Sequence, residues 1–202
     1  MLDNDYFNKL SVFVGKTTNC SCNNNTVVVV CDNELKFITK YENDLQYSLY
    51  SENRDTTELI ATYMSENDLK RNLALRLRKI LGKGFDYKYT SMFRKAVNID
   101  MVKRLMSLYC NSDYYSINLP IKGKINLESE KNEEYSVYYI DFNGNRHYMV
   151  DSKNASFAFA RFYNEVTYLD ETIKQINEYS RIFGDEINDK EALHQLIYNF
   201  WL

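Results

Sequence analysis

The sequence contains little of what marks several classes of protein. It has two histidines, one proline, four cysteines and one tryptophan. No apolar run approaches the roughly 20 residues that a membrane-spanning helix needs, so we expect no membrane partner. Asp3 and Asp5 occupy the positions where an export signal carries positive charge. A cytoplasmic location is therefore expected.

The few cysteines argue against a disulfide framework. Cys20, Cys22, Cys31 and Cys110 are too few to cross-link 202 residues, and they are expected to be free thiols in a reducing cytosol. They lack the paired Cys-x2-Cys spacing of structural zinc sites. Metal binding by these four cysteines is left as a minor alternative, and no cofactor is expected.

Candidates for catalysis are correspondingly few. His147 and His194 are the only histidines, and Cys110 with His147 is the only nucleophile–base pair worth testing. Gly82-Lys83-Gly84 lacks the frame of a phosphate-binding loop. The acidic residues are scattered rather than clustered as a two-metal site requires, apart from four in a predicted exposed loop: Glu128, Glu130, Glu133 and Glu134. We predict no catalytic residue, and we favour a non-enzymatic function without excluding an enzyme.

The first part of the chain predicts a β unit. A short helix over residues 1–14 and a polar loop over residues 15–25 are expected before it. β-branched or alternating apolar residues then occur over residues 26–31, 35–41 and 45–49, with turn-forming residues between these runs. The runs predict an antiparallel meander of three strands with one buried face.

The middle of the chain predicts helices. A helix is predicted to begin at Asp55, which forms a capping box with the glutamate three residues later. The apolar residues on its predicted face are Leu59, Ile60, Tyr63 and Met64. The helix is expected to restart at Ser65 and to end at Gly82. Residues 91–110 predict one or two further helices, with a break near Asn98.

This helical middle is strongly basic. Eleven Lys and Arg but only two acidic residues lie between Lys70 and Arg104, a net charge of +9, which leaves −12 on the rest of a chain whose formal charge is −3. Such a segment is a candidate surface for phosphate backbones. The alternative, which we favour, is that acidic segments of the same chain face it.

The last part of the chain predicts a second antiparallel β unit. Strands are expected over residues 114–119 and 124–127, before a hairpin of residues 135–142 and 145–150 around Asn143-Gly144, a pair suited to a type I′ turn. The expected register pairs Asp141 with Arg146, Ile140 with His147, Tyr139 with Tyr148 and Val137 with Val150. His147 would then lie on the face opposite Asp141, which favours a structural role.

A long helix follows the hairpin. Apolar residues recur at steps of three and four from Asn154 to Phe183, and Gly184 is placed to end the helix. Asp170 offers an alternative start for a second helix. A short final capped helix is predicted from Asn188. The predicted fold is thus one α+β domain over residues 1–202, with sub-units 1–52, 53–110 and 111–202.

Tyrosine is the one abundant residue type that suggests recognition. The chain has 18 tyrosines and 11 phenylalanines, and tyrosine is enriched at protein interfaces. A tyrosine-rich core with codon bias explains the same counts. The predicted contact residues are Tyr114, Tyr115, Tyr135, Tyr139, Asp141, Arg146 and Tyr148.

The sequence therefore favours a protein-binding module, of the kind that small bacterial inhibitors and toxin-neutralising immunity proteins represent. The alternative is a protein that binds nucleic acid or a phosphorylated ligand through the basic segment. The residues predicted for that alternative are Arg76, Lys79, Lys83, Arg94, Lys95 and Arg104.

Overall fold

The computed structural model of the chain describes residues 2–23, 25–31, 34–43, 46–54, 56–129, 134–187, 193 and 196–197. Its α+β architecture is the predicted one. The chain divides into two compact units: Met1–Gly84 with Gln175–Glu186, and Phe85–Lys174 with Ile187–Leu202. The single domain over residues 1–202 stays a prediction.

The first unit contains a five-stranded antiparallel sheet, whose strands follow one another in chain order. They are β1 (Asn19–Asn23), β2 (Thr26–Val30), β3 (Leu35–Asn43), β4 (Gln46–Asn53) and β5 (Thr56–Tyr63). The predicted meander corresponds to β2, β3 and β4. β1 lies where the sequence predicts a polar loop, because its five residues are all exposed and show no apolar alternation.

The predicted helix between Asp55 and Met64 is wrong, since β5 occupies this segment and pairs antiparallel with β4. Asp55 itself lies outside the described residues. Three threonines, one isoleucine and one tyrosine in β5 favour extended backbone. Leu59 is 56% exposed, so the apolar spacing of this segment does not mark the buried stripe of a helix.

Two helices of the first unit agree with the sequence. They are α1 (Asn4–Val14) and α2 (Glu66–Leu81). The Asp3 side chain caps α1 by accepting a backbone hydrogen bond of 2.8 Å. The Ser65 side chain caps α2 in the same way. Gly82 follows the last residue of α2, as predicted.

An aromatic cluster forms part of the core of the first unit. The rings of Phe13 and Tyr179 lie 5.8 Å apart, edge to face. Tyr179 stacks on Phe183 at 4.3 Å, and Phe183 also lies 5.4 Å from Tyr6. Two of the tyrosines, Tyr6 and Tyr179, therefore serve packing rather than exposed recognition.

The second unit begins with α3 (Thr90–Arg94) and α4 (Ile99–Tyr109). The predicted break near Asn98 is confirmed, because the Asn98 side chain caps α4 by accepting from the backbone amide of Met101 at 2.9 Å. Four strands follow: β6 (Tyr115–Ile117), β7 (Ile125–Ser129), β8 (Tyr135–Ile140) and β9 (Arg146–Ser152).

These strands form a second sheet in the order β6-β7-β8-β9. The β7–β8 and β8–β9 pairs are antiparallel, as predicted. β6 runs parallel to β7, a departure from the antiparallel prediction. The segment 118–124 must therefore cross back along the sheet before β7 begins, rather than forming a tight hairpin.

The long helix α5 (Ala155–Phe183) is continuous through Asp170. The Asn154 side chain accepts from the Phe157 amide at 3.1 Å, and Gly184 follows the helix at φ +71°. In the second unit the helix packs on one face of the sheet. The rings of Tyr115 and Phe162 pack edge to face, and so do the rings of Tyr135 and Phe159.

The predicted final helix lies largely outside the described residues. Leu193, Leu196 and Ile197 are helical, and the last two are buried. His194 and Asn188 are among the residues outside the description. Within the described ranges, no helix combines the length and the apolarity that crossing a bilayer requires.

Candidate functional site

The β8–β9 hairpin turns through a loop that is one residue longer than predicted. The Asp141 amide donates to the Asn145 carbonyl at 3.1 Å, and the Gly144 amide donates to the Asp141 carbonyl at 3.0 Å. The loop is therefore Phe142-Asn143-Gly144, with Gly144 at φ +93°. Three-residue hairpin loops commonly place a glycine in this left-handed conformation.

The Asp141 side chain explains the longer loop. Its carboxylate accepts from the Asn145 backbone amide at 2.8 Å and from the Asn145 side chain at 2.9 Å. Aspartate at the first position of a turn favours such local bonds. These bonds hold Asp141 opposite Asn145, and the predicted pairing of Asp141 with Arg146 is wrong.

The register next to the turn consequently differs from the prediction by one residue. The observed pairs are Ile140 with Arg146, Tyr139 with His147, Tyr138 with Tyr148 and Val137 with Val150. Only the last pair is the predicted one, since β9 contains an extra residue between the pairs of Val137 and Tyr138. Tyr138 replaces Tyr139 as the neighbour of Tyr148.

His147 and Asp141 are brought together, whereas the predicted register separates them. His147 Nε2 lies 3.0 Å from Asp141 Oδ2, and both side chains are partly buried. The His147 hydrogen bond, followed by the bonds from Asn145, holds the pKa of Asp141 well below its usual range, although desolvation opposes this shift. The pair fastens the base of the hairpin loop.

A second cluster lies on the sheet face that points away from α5 within the second unit. Arg146 forms an ion pair of 3.1 Å with Glu128 on β7. Its guanidinium lies 4.7 Å from the centre of the Tyr138 ring, and Tyr148 lies 5.3 Å from the same ring. We name Glu128, Tyr138, Arg146 and Tyr148 the hairpin-face cluster.

The members of the hairpin-face cluster differ in exposure. Tyr138 is fully buried, whereas Tyr148 is 53% exposed. Burial, followed by the neighbouring Glu128 carboxylate, holds the pKa of Tyr138 well above its usual range. A neutral phenol therefore lies beneath Arg146 and Tyr148, and these two side chains present a cation and an aromatic ring to solvent.

The segment 118–124 forms one rim of this face. The Asn126 side chain is buried and accepts from the Ile121 amide at 2.8 Å. It also donates to the carbonyls of Ile121 and Lys124 at 3.1 Å and 2.8 Å. Lys122 Nζ reaches the Phe142 carbonyl at 3.0 Å, so the segment lies beside the hairpin loop.

The predicted contact residues are distributed over different environments. Tyr139 is fully buried, and Tyr115 and Tyr135 pack against α5. Tyr114 is partly exposed, and the Asp141 carboxylate accepts a hydrogen bond from the Asn145 amide of its own loop. Of the predicted set, Arg146 and Tyr148 come together on one exposed surface.

Sequence reasoning missed Tyr138 and Glu128. Glu128 lies opposite Ser136 and Asn126 lies opposite Tyr138 in the β7–β8 pair, so both missed side chains share a face with Arg146. The signal that could have identified them is Asp141 before Asn143-Gly144, since a turn-forming aspartate favours the longer loop and changes the register.

The basic segment is divided between the units. Arg76, Lys79 and Lys83 belong to the first unit, and Arg94, Lys95 and Arg104 belong to the second. In the first unit, neighbouring cations of α2 meet acidic residues. These ion pairs are Lys70 with Glu66, Arg71 with Asp68 and Asp185, and Arg78 with Glu178. Part of the positive charge is therefore neutralised within the chain.

The cations of α3 and α4 have a different environment. Arg94, Lys95 and Arg104 are exposed. No carboxylate in the described part of the chain forms an ion pair with their side chains. Lys103 lies 3.6 Å from Asp100, and both side chains are largely exposed.

The four cysteines are free thiols. Cys20 and Cys22 are exposed on β1, and burial raises the pKa of the Cys110 thiol to about 12, with the Asp170 carboxylate adding to the shift. Cys110 is thus protonated at neutral pH, which disfavours it as a nucleophile. Among the described residues, no three His, Cys, Asp or Glu side chains are grouped to hold a metal ion.

Both units contain cavities. One cavity in the first unit, about 340 Å³, is lined by Tyr41, Tyr47 and Leu69 among others, and a more open one of about 520 Å³ is lined by Glu34, Arg54 and Glu58 among others. The cavity in the second unit, about 240 Å³, is lined by Cys110 and Asp170 among others. Asp170 is already paired with Lys174 at 2.8 Å. The cavity of the second unit has a thiol beside carboxylates, but the raised pKa keeps the Cys110 thiol protonated at neutral pH, and Lys174 also pairs with Glu171 at 2.8 Å. These groups therefore do not form the activated nucleophile and base of a catalytic site.

No protein-family profile, no curated protein and no solved structure matches this chain.

Proposed function

We propose that the chain is a non-enzymatic, cytosolic module that binds another protein through the hairpin-face cluster. Its function would then be that of an inhibitor or of an immunity-type protein that neutralises its partner. The partner surface would be acidic and contain an apolar recess, which complements an exposed arginine beside an exposed tyrosine.

The observation that carries this proposal is the pair formed by Arg146 and Tyr148. Tyrosine and arginine are the residues most enriched among those that dominate binding energies. Arg146 is oriented by Glu128 at 3.1 Å and by the Tyr138 ring beneath it. A pre-oriented side chain loses less conformational entropy when it meets a partner.

The chemistry of the remaining groups favours binding over catalysis. The carboxylate of Asp141 engages His147 Nε2 and both amides of Asn145, so its hydrogen bonds are directed at its own loop. The Cys110 thiol has a pKa raised to about 12. Neither group has the free, activated form that nucleophilic or general-base catalysis requires.

The experiment compares Tyr148→Ala and Arg146→Ala with the unchanged chain in affinity capture from nuclease-treated extract of the native host. A protein recovered in stoichiometric amount with the unchanged chain should be lost from both variants. With the purified partner, each substitution at a dominant contact should weaken binding by about thirtyfold or more.

Two matched variants serve as controls. Phe157 is also 53% exposed, and Lys153 also pairs with a glutamate, Glu134, at 3.4 Å. Phe157→Ala and Lys153→Ala should leave binding unchanged. If Tyr148→Ala and Arg146→Ala bind the partner as tightly as the unchanged chain does, and circular dichroism shows both variants folded, the proposal is contradicted.

A second candidate function is nucleic-acid binding through α3 and α4. It is favoured by the exposure of Arg94, Lys95 and Arg104. Affinity for duplex DNA should then fall with salt, with a log–log slope of about −0.9 for each phosphate neutralised. An affinity for DNA that does not change with salt would exclude this function. So would Arg94→Ala and Arg104→Ala variants that bind DNA as tightly as the unchanged chain.

A further inference from the structure

β1 is a sheet edge that lacks the usual features that block pairing with another chain. It is first in the strand order of the first sheet, and among the strands of the described residues its one pairing partner is β2. All five of its residues, Asn-Cys-Ser-Cys-Asn, are exposed. Sheet edges usually carry charges or bulges that prevent pairing with another chain. β1 carries no charge, whereas β5 at the opposite edge carries Glu58 and has a register shift in its pairing with β4.

The thiols of β1 are spaced so that they do not reach each other within one chain. Cys20 and Cys22 lie opposite Val29 and Val27, and their side chains therefore point to the same side of the strand. Residues two apart on an extended strand are separated by about 6.6 Å, with parallel side chains. Their Cβ atoms are then well beyond the roughly 4 Å that a disulfide requires.

We propose that two copies of the chain pair through β1, antiparallel about Ser21, and that Cys20 of each copy forms a disulfide with Cys22 of the other. In this register Ser21 lies opposite Ser21 of the second copy, so one two-fold axis generates both disulfides. Opposite residues of antiparallel strands have Cα atoms about 4.5 or 5.5 Å apart, and both distances suit a disulfide.

The oxidation can proceed by exchange with a small disulfide such as oxidised glutathione. The Cys22 thiolate attacks one glutathione sulfur, the glutathione S–S bond breaks, and one glutathione thiolate leaves. The Cys20 thiolate of the second copy then attacks the Cys22 sulfur and displaces the other glutathione. For each disulfide, two protein thiols are oxidised, one oxidised glutathione is reduced, and the two thiol protons go to the departing thiolates, so the dimer with both disulfides consumes two molecules of oxidised glutathione.

Either thiol of β1 can make the first attack, because Cys20 and Cys22 are both exposed and the thiolate of an exposed cysteine is the nucleophile in exchange. Without an oxidant the same edge offers only a few main-chain hydrogen bonds between copies.

The test treats the full chain with oxidised glutathione and compares it with chain kept in dithiothreitol. Non-reducing electrophoresis and light scattering should show a covalent dimer only after oxidation. Peptide mapping should show Cys20 linked to Cys22. A monomer that carries only glutathione adducts, or a dimer linked through Cys31 or Cys110, would overturn the proposal.

Variants in which one of the two cysteines of β1 is replaced test the register itself. Each disulfide needs one Cys20 and one Cys22, so Cys20→Ser alone and Cys22→Ser alone should each lose the dimer. A mixture of the two variants should restore it through one disulfide, between Cys22 of the first variant and Cys20 of the second. Dimers formed by either variant alone at the unchanged rate would show non-specific oxidation and refute the register.

Discussion

Replacing Asn126 should release the segment that borders the hairpin-face cluster. The Asn126 side chain is buried and makes three hydrogen bonds to the backbone of the segment 118–124. Each contributes roughly 1 kcal/mol net, so Asn126→Ala should lower the free energy of unfolding by about 3 kcal/mol. Asn126→Asp should cost at least as much, because a carboxylate oxygen would face the carbonyls of Ile121 and Lys124.

Urea denaturation followed by circular dichroism measures this loss. Hydrogen exchange gives a local readout, since the Ile121 amide donates to Asn126 Oδ1 at 2.8 Å and should lose its protection. Asn111→Ala is the matched control, because Asn111 makes one exposed capping bond and its replacement should cost about 1 kcal/mol. A loss for Asn126→Ala no greater than that of the control, with the Ile121 amide still protected, would refute the reasoning.

Two further predictions concern titratable groups. Cys110 should react with iodoacetamide at pH 7.5 at least about a hundredfold more slowly than free cysteine, because only the thiolate reacts and a pKa raised to about 12 leaves little of it; a rate similar to that of free cysteine, measured by mass spectrometry, would contradict this. The lowered pKa of Asp141 gives a contribution to stability that is present above the pH where an unfolded aspartate titrates, about 3.9, and is lost as the pH falls below it. The urea midpoint should therefore fall more steeply between pH 5 and pH 3 in the unchanged chain than in Asp141→Asn, and parallel curves would show that the His147 contact contributes nothing.

Helix boundaries could be read from the sequence because single residues determine them. Ser65 and Asn98 supply side-chain caps, and Gly184 adopts the positive φ that ends α5. These signals are local, and no tertiary contact is needed to interpret them.

β5 could not be assigned in this way. The spacing of Leu59, Ile60 and Tyr63 fits a helical face as well as a strand. Pairing with β4 gives this segment its extended conformation. The exposed edge position of β5 also removes the alternation of buried and exposed residues that identifies a strand. Pairing between distant segments, which local propensity does not encode, determined the outcome.

The alternation of residues along β9 predicts Arg146 and Tyr148 on one face, and in the structure the two side chains lie together on an exposed surface. Their role as contact residues stays a prediction. The expected register predicts Tyr139 on the same surface, but Tyr139 is fully buried. The three-residue loop shifts the register next to the turn and places Tyr138 opposite Tyr148, and the extra residue in β9 then restores the predicted pair of Val137 with Val150. A shift of one residue in a strand reverses the face of every side chain, so the error in the loop carried through to the site.

Binding by the hairpin face is tested most directly by hydrogen exchange on the complex with the captured partner. The account predicts that peptides covering residues 135–152 gain protection when the partner binds, whereas peptides covering α4 do not. Protection confined to α4, with exchange over residues 135–152 unchanged, would contradict binding through the hairpin face. The contact surface would then lie on the basic helices.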